Sequence, residues 1–101
     1  MFGFEKLFGP RTDFKSLVNK GAVIIDVRSA AEFATGHITG STNINVDLMS
    51  NRIKELQQLK KPVITCCRSG GRSAVATRIL NAAGIESYNG GPWTLLQKRL
   101  L

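Results

Sequence analysis

Acidic residues are scarce in this chain. Seven Asp and Glu stand against fourteen Lys and Arg, giving +7 at pH 7 over 101 residues. That balance favours anionic partners and does not fit an acidic, solvating tail. There are only three Pro, and the ten Gly follow no three-residue period, so collagen-like and proline-rich chains are excluded. Two Cys are too few to staple a small secreted scaffold. Cys66 and Cys67 are adjacent, too close for an ordinary bridge, and lack the spaced partner ligands of a zinc site. No apolar run approaches the roughly 18 residues of a membrane span. No basic run exceeds a pair such as Lys60-Lys61, and aromatic residues do not interleave the basic ones. A nucleic-acid surface is therefore not expected, nor is a membrane partner.

What is present suits one α/β domain. The chain is 43% hydrophobic, enough for a core, and shows no repeat or linker. We read residues 1–101 as a single domain with 1–11 as an N-terminal flank, in which Phe4, Leu7 and Phe8 share helical spacing. The start has no basic region followed by a cleavage site, so a cytosolic setting with reduced cysteines is expected.

Thr12 or Asp13 can cap a short helix carrying Phe14, Leu17 and Val18, with Gly21 at its end. The apolar run 22–27 reads as a strand buried on both faces. Ser29 through Glu32 has capping-box spacing before a short helix. Residues 43–46 read as a second strand, followed by a helix from Asp47 or Ser50 with Leu48, Ile53, Leu56 and Leu59. Residues 62–67 are a third strand. A helix is expected from near Ser73, with Val75, Ala76, Ile79 and Leu80 on one face and Gly84 at its close. Residues 85–88 form a short fourth strand, Gly90-Gly91 a turn, and Pro92 the start of a helix with Trp93, Leu96 and Leu100 inward. Alternating strands and helices predict a mainly parallel central sheet flanked by helices on both faces.

The chemistry concentrates in Cys67-Arg68-Ser69-Gly70-Gly71-Arg72-Ser73, between a buried strand and a helix start. Open α/β sheets bind ligands beyond the carboxyl ends of their strands. Gly70 and Gly71 let the backbone curl, so that successive N–H groups point at one spot, and the helix start adds its positive end. Arg68 and Arg72 bring charge. A Cys67 thiol in that field is expected to ionise near neutral pH and attack an anionic substrate. Cys66 faces the other way in a regular strand and reads as core.

In its motifs and their order, the chain resembles the single-domain rhodaneses over residues 12–99. Ile25-Asp26-Val27-Arg28 with Glu32-Phe33 is similar to the family's Asp-Val-Arg segment and the acidic-aromatic pair after it. Gly36 through Ser41 is similar to its Gly-His-Ile-Pro-Gly-Ala turn, with Thr39 for Pro and Ser41 for Ala. Cys67 through Ser73 matches the active-site loop, and Gly90-Gly91 with Trp93 the C-terminal motif, compressed by Pro92.

The resemblance implies a rhodanese-like fold and a sulfurtransferase. Cys67 would take sulfur from a donor such as thiosulfate as a persulfide and pass it to cyanide, a small thiol or a protein thiol. The amides from Arg68 to Ser73 (Arg68, Ser69, Gly70, Gly71, Arg72, Ser73) would cradle that sulfur, and Arg68 and Arg72 would attract the donor's anionic group. No metal or organic cofactor is required. A monomer or weak dimer is expected, with a shallow pocket open to protein-sized acceptors. Asp26 and Arg28 would tie loops together, His37 would support its turn, and Trp93 would be core or pocket wall.

Two rival readings stand beside this one. Counted from Cys66, Cys66-x5-Arg72 is similar to the nucleophile signature of cysteine-dependent phosphatases and arsenate reductases. Thr65, however, stands where those enzymes commonly have His, and no general acid is evident. The other rival is a sulfur-relay or binding module using the same Cys67.

Overall fold

The two longest apolar runs become the centre of the sheet. In the computed structural model, which describes residues 12–101, β1 (Val23–Asp26) and β3 (Val63–Cys67) pair in parallel. Ile24 lies beside Ile64, and Asp26 beside Cys66. β2 (Thr42–Asn43) adds outside β1, and β4 (Ser87–Pro92) adds outside β3, also in parallel. The order is β2-β1-β3-β4. All four strands therefore end along one edge, where such sheets bind ligands. The flank carrying Phe4, Leu7 and Phe8 lies outside the described residues.

The lack of alternation in β1 and β3 reflects burial on both faces. Ile25, Val27, Val63 and Cys67 pack on one side with Met49, Leu56, Ala76 and Leu80. Ile24, Ile64 and Cys66 pack on the other with Phe14, Ile38, Tyr88 and Leu96. Burying each large aliphatic side chain, such as Ile64 or Leu80, stabilises the fold by about 1.5–3 kcal/mol.

The described residues form the α-helices α1 (Phe14–Asn19), α2 (Ala30–Ala34), α3 (Ile53–Leu59), α4 (Gly71–Ala82) and α5 (Trp93–Arg99). The Asp13 carboxylate caps α1 by accepting the Ser16 amide at 3.0 Å. Ser29 and Glu32 form the expected capping box at α2. Phe14 of α1 and Leu96 of α5 enter one core, and Leu56 of α3 and Leu80 of α4 enter the other. Among the described residues, no helix is long and apolar enough to cross a membrane.

The structure corrects several boundaries. The second strand stops at Asn43, and residues 46–52 form a 3-10 helix leading into α3. Two asparagines end the extended chain there. Asn43 turns its side-chain amide onto the carbonyls of Asp26 and Arg28, and Asn45 caps the Asp47 amide. Met49 fills the core from that helix, whereas Leu48 and Leu59 are exposed.

Helix α4 begins at Gly71 rather than Ser73. Its buried face is Ser73, Ala76, Thr77 and Leu80, and Val75 is exposed. The polar pair is admitted because Thr77 and Thr65 share a hydroxyl contact of 2.8 Å and both bond the Ser73 carbonyl.

Gly90 and Gly91 do not turn the chain. They lie within β4, where the register against β3 shifts between Thr65 and Cys67. Gly90 passes so close to β3 that an added Cβ would stand 2.7 Å from the Thr65 carbonyl oxygen. Only glycine allows this approach.

Candidate active site

β3 delivers Cys67 to the carboxyl edge, residues 68–70 arch over it, and α4 starts immediately after. The arch closes through Gly70, whose φ of +101° is a left-handed conformation that other residues adopt at a cost. Gly70 occupies the cap position of α4 but has no side chain to accept the free amides of the first turn. The Cys67 sulfur fills that role. It accepts the Gly70 amide at 2.9 Å and, more weakly, the Ser73 amide at 3.4 Å. The sulfur therefore does what a Ser or Asp side chain does at other helix starts. The Ser73 hydroxyl lies 3.3 Å from the same sulfur.

These donors decide the acid–base character of Cys67. Burial alone would push its thiol up. The Ser73 hydroxyl and the amides of Ser73, Gly70 and Ser69 together outweigh burial and hold it below the ordinary value. Hydrogen bonds, more than the arginine charges inferred from the sequence, are the leading source of this lowering. Cys66 goes the opposite way. Burial first, and the nearby Asp26 second, push its thiol up to about 12. One residue apart, the two cysteines occupy opposite faces of the sheet.

The two loop arginines also differ. Arg72 rests on Glu32, with Nη1 at 2.7 Å from one carboxylate oxygen and Nη2 at 3.0 Å from the other. Glu32 is itself held by the amide and hydroxyl of Ser29, both at 3.1 Å. Arg72 first, and the Ser29 amide next, bring the Glu32 carboxyl down to about 2. Arg68 is exposed, and no partner engages it among the described residues. Ser69 is exposed beside it. Cys67 is 0% exposed, so the sulfur lies beneath the arch and not in an open, shallow hollow.

Behind the loop, Asp26 and Arg28 build the support the sequence pointed to. The Asp26 carboxylate accepts the Arg28 backbone amide, its Nε and its Nη2, the last at 2.7 Å. Arg28 continues to the carbonyls of Glu32 and Gly36 and stacks 5.0 Å over the Trp93 ring. His37 stacks on Phe33 at 3.6 Å and bonds the Phe33 carbonyl through Nδ1, a structural role.

Two site features escaped the sequence reading. Sequence spacing points Glu32 only to its capping box, but it also anchors the loop through Arg72. Asn89 was not singled out. It joins β4 to the loop, accepting the Ser73 hydroxyl at 2.6 Å and the Gly91 amide at 2.9 Å on Oδ1, while Nδ2 donates to the Gly70 carbonyl at 3.3 Å. The available signal was its place: a polar residue near the carboxyl end of a strand beside the cysteine strand.

Comparison with known proteins agrees with this geometry. The rhodanese-like domain family model matches residues 11–92. The chain is 32% identical over 85 residues to the thiosulfate sulfurtransferase GlpE of Pseudomonas fluorescens, covering 81% of this chain and 77% of that protein. Among solved structures, a rhodanese with anions from E. coli superposes with a TM-score of 0.68 at 26% identity, covering 74% of this chain and 91% of that one. Reduced CoADR-RHD of Bacillus anthracis gives 0.73 at 31% identity over 88% of this chain, which spans only 16% of that longer protein. The family match runs over most of the sequence and takes in the strand, arch and helix around Cys67: this chain belongs to the rhodanese-like domain family.

Proposed function

We propose that this chain is a sulfurtransferase that carries sulfane sulfur on Cys67, with thiosulfate as a competent donor. The observation that carries the reading is the Cys67 sulfur at the start of α4, accepting the Gly70 amide at 2.9 Å and the Ser73 amide at 3.4 Å. Donors aimed at that point favour a thiolate before reaction and an anionic outer sulfur after it. Relatives named thiosulfate sulfurtransferase support the choice of donor.

In the first step the Cys67 thiolate attacks the outer sulfur of thiosulfate. A bond forms between the two sulfurs, the old S–S bond breaks, and sulfite leaves with its electron pair. In the second, an acceptor such as cyanide or a thiolate attacks the outer sulfur of the persulfide and releases the Cys67 thiolate. Because Cys67 is covered, loading requires the arch of Arg68, Ser69 and Gly70 to part from the sulfur. The amides of the loop from Arg68 through Gly70 and Gly71 to Ser73 then cradle the outer sulfur. Arg68 supplies free positive charge at the entrance, and Arg72 acts with its charge offset by Glu32. The domain works without metal or organic cofactor, as a monomer or weak dimer in the cytosol, and its acceptor is a small nucleophile or a protein thiol.

The phosphatase reading needs Cys66 as nucleophile. Cys66 is buried among Ile24, Ile64 and Leu96, with its thiol pushed up to about 12, which argues against it. The test is intact mass after thiosulfate and then after cyanide. The wild type should gain one sulfur, roughly 32 Da, and lose it to cyanide. Cys67→Ala should gain nothing, and Cys66→Ala should retain at least roughly a tenth of the transfer rate. Equal loss from both substitutions overturns Cys67 as sole nucleophile.

A further inference from the structure

The Ser73 hydroxyl has one proton and three acceptors around it. The Asn89 Oδ1 is nearest at 2.6 Å, followed by the Gly70 carbonyl at 3.1 Å and the Cys67 sulfur at 3.3 Å. The orientation of the Asn89 amide is pinned from both ends. Gly91 donates its amide to Oδ1, and Nδ2 donates to the Gly70 carbonyl. Oδ1 is therefore the atom that faces Ser73, and it can only accept.

We propose that Asn89 is a positioning residue that holds the Ser73 proton away from Cys67 and so sets how readily the Cys67 thiol ionises. The inference rests on Cys67 being the reacting sulfur. While Ser73 donates to Asn89, its oxygen offers a lone pair to the sulfur, which suits a neutral S–H pointing at it. When Cys67 releases its proton to solvent, the Ser73 hydroxyl must swing from Asn89 to the thiolate, giving up its shortest hydrogen bond. Asn89 thus favours the thiol. Once the persulfide forms, the charge resides on the outer sulfur and the inner one has neither charge nor proton. The Ser73 hydroxyl then returns to Asn89 and leaves the outer sulfur to the loop amides.

Few other groups compete for control of this sulfur. Arg72, in the first turn of α4, acts on it by charge but is paired with Glu32, and Arg68 belongs to the arch. Cys66 stays a thiol on the far face, next to Asp26 and Arg28. β4 presents Asn89 and Pro92 here, neither titratable, and Val27, Met49 and Ala76 in the same cluster are apolar.

The test follows alkylation of Cys67 by iodoacetamide against pH in the full chain, with the modified cysteine identified by mass. Asn89→Ala should lower the midpoint of Cys67 ionisation by about 0.5–1 pH, the size of one hydrogen bond redirected to the thiolate. Ser73→Ala should raise it. Asn89→Ala in a Ser73→Ala background should shift nothing further, because the effect passes through Ser73. Asn89→Ser keeps a two-residue turn bond to the Gly91 amide while falling short of Ser73. It should reproduce the drop even if Asn89→Ala folds poorly. A midpoint that stays or rises in Asn89→Ser, or a drop that persists without the Ser73 hydroxyl, overturns the proposal. Alkylation needs no sulfur donor, so a failure of sulfur transfer and a failure of this inference are read separately.

Discussion

Both terminal nitrogens of Arg72 rest on the carboxylate of Glu32, forty positions earlier in the chain. The contact fastens the first turn of α4 to α2, and together with the smaller contribution of Ser29 it lowers the Glu32 carboxyl from an ordinary 4.5 to about 2. A carboxyl depressed on folding contributes stability that is fully present above the unfolded value and is lost as pH falls through the folded one. The wild type should therefore lose this contribution between about pH 4.5 and 2. Denaturant midpoints across that range should fall less steeply for Glu32→Gln than for wild type. Parallel curves would show that the pair contributes nothing.

The unequal state of the two loop arginines predicts unequal kinetics. Arg68→Ala removes an unpaired charge and should raise the donor KM about two- to five-fold, with the effect weakened by salt. Arg72→Ala removes a charge already offset by Glu32 and should raise KM less. It should instead speed alkylation of Cys67 by loosening the loop. Unchanged kinetics for both would remove the arginines from donor recognition.

Arg28→Ala should be among the most damaging substitutions in the chain. It leaves the Asp26 carboxylate, 0% exposed, without its bidentate partner. Breaking such a buried pair from one side costs about 3–5 kcal/mol. Equilibrium unfolding by urea reads this directly, and a loss below about 1 kcal/mol would contradict the role given to the pair.

Two glycine substitutions should have opposite outcomes. Gly90→Ala drives its Cβ into the Thr65 carbonyl oxygen at 2.7 Å and the Leu96 side chain at 2.8 Å, and overpacking of this kind costs about 1–3 kcal/mol or more. Gly71→Ala meets open space in the first turn of α4 and should be neutral or stabilising by about 0.4–1 kcal/mol. Thermal melts of the two variants should move in different directions.

The sequence made some parts of this architecture legible and hid others, for physical reasons. The runs at 22–27 and 62–67 are apolar without alternation, which few structures other than central parallel strands satisfy. Ser29 and Glu32 stand at the spacing of a capping box, a local signal that geometry enforces. Cys67 and its loop were visible because glycines, cations and a helix start coincide within seven residues. The Gly90-Gly91 pair reads as a turn in the sequence because a local turn and a strand pressed against its neighbour use glycine equally well. Ser73 and Thr77 do not read as core from the sequence because part of what satisfies their hydroxyls, Thr65 and Asn89, comes from strands distant in sequence. The same distance hid Glu32 as a partner of Arg72.

The sheet also acts as a wall between the chain's only two thiols. In many redox proteins a second cysteine attacks the oxidised sulfur of the first, forming a disulfide between them and expelling the group the first one carried. Cys66 cannot approach Cys67 from across the strand they share, and it remains protonated at neutral pH. If Cys67 carries sulfur as proposed, that sulfur would have no exit through Cys66. It would persist until a nucleophile arrived from outside, so the acceptor and not the carrier would set the lifetime of the loaded form.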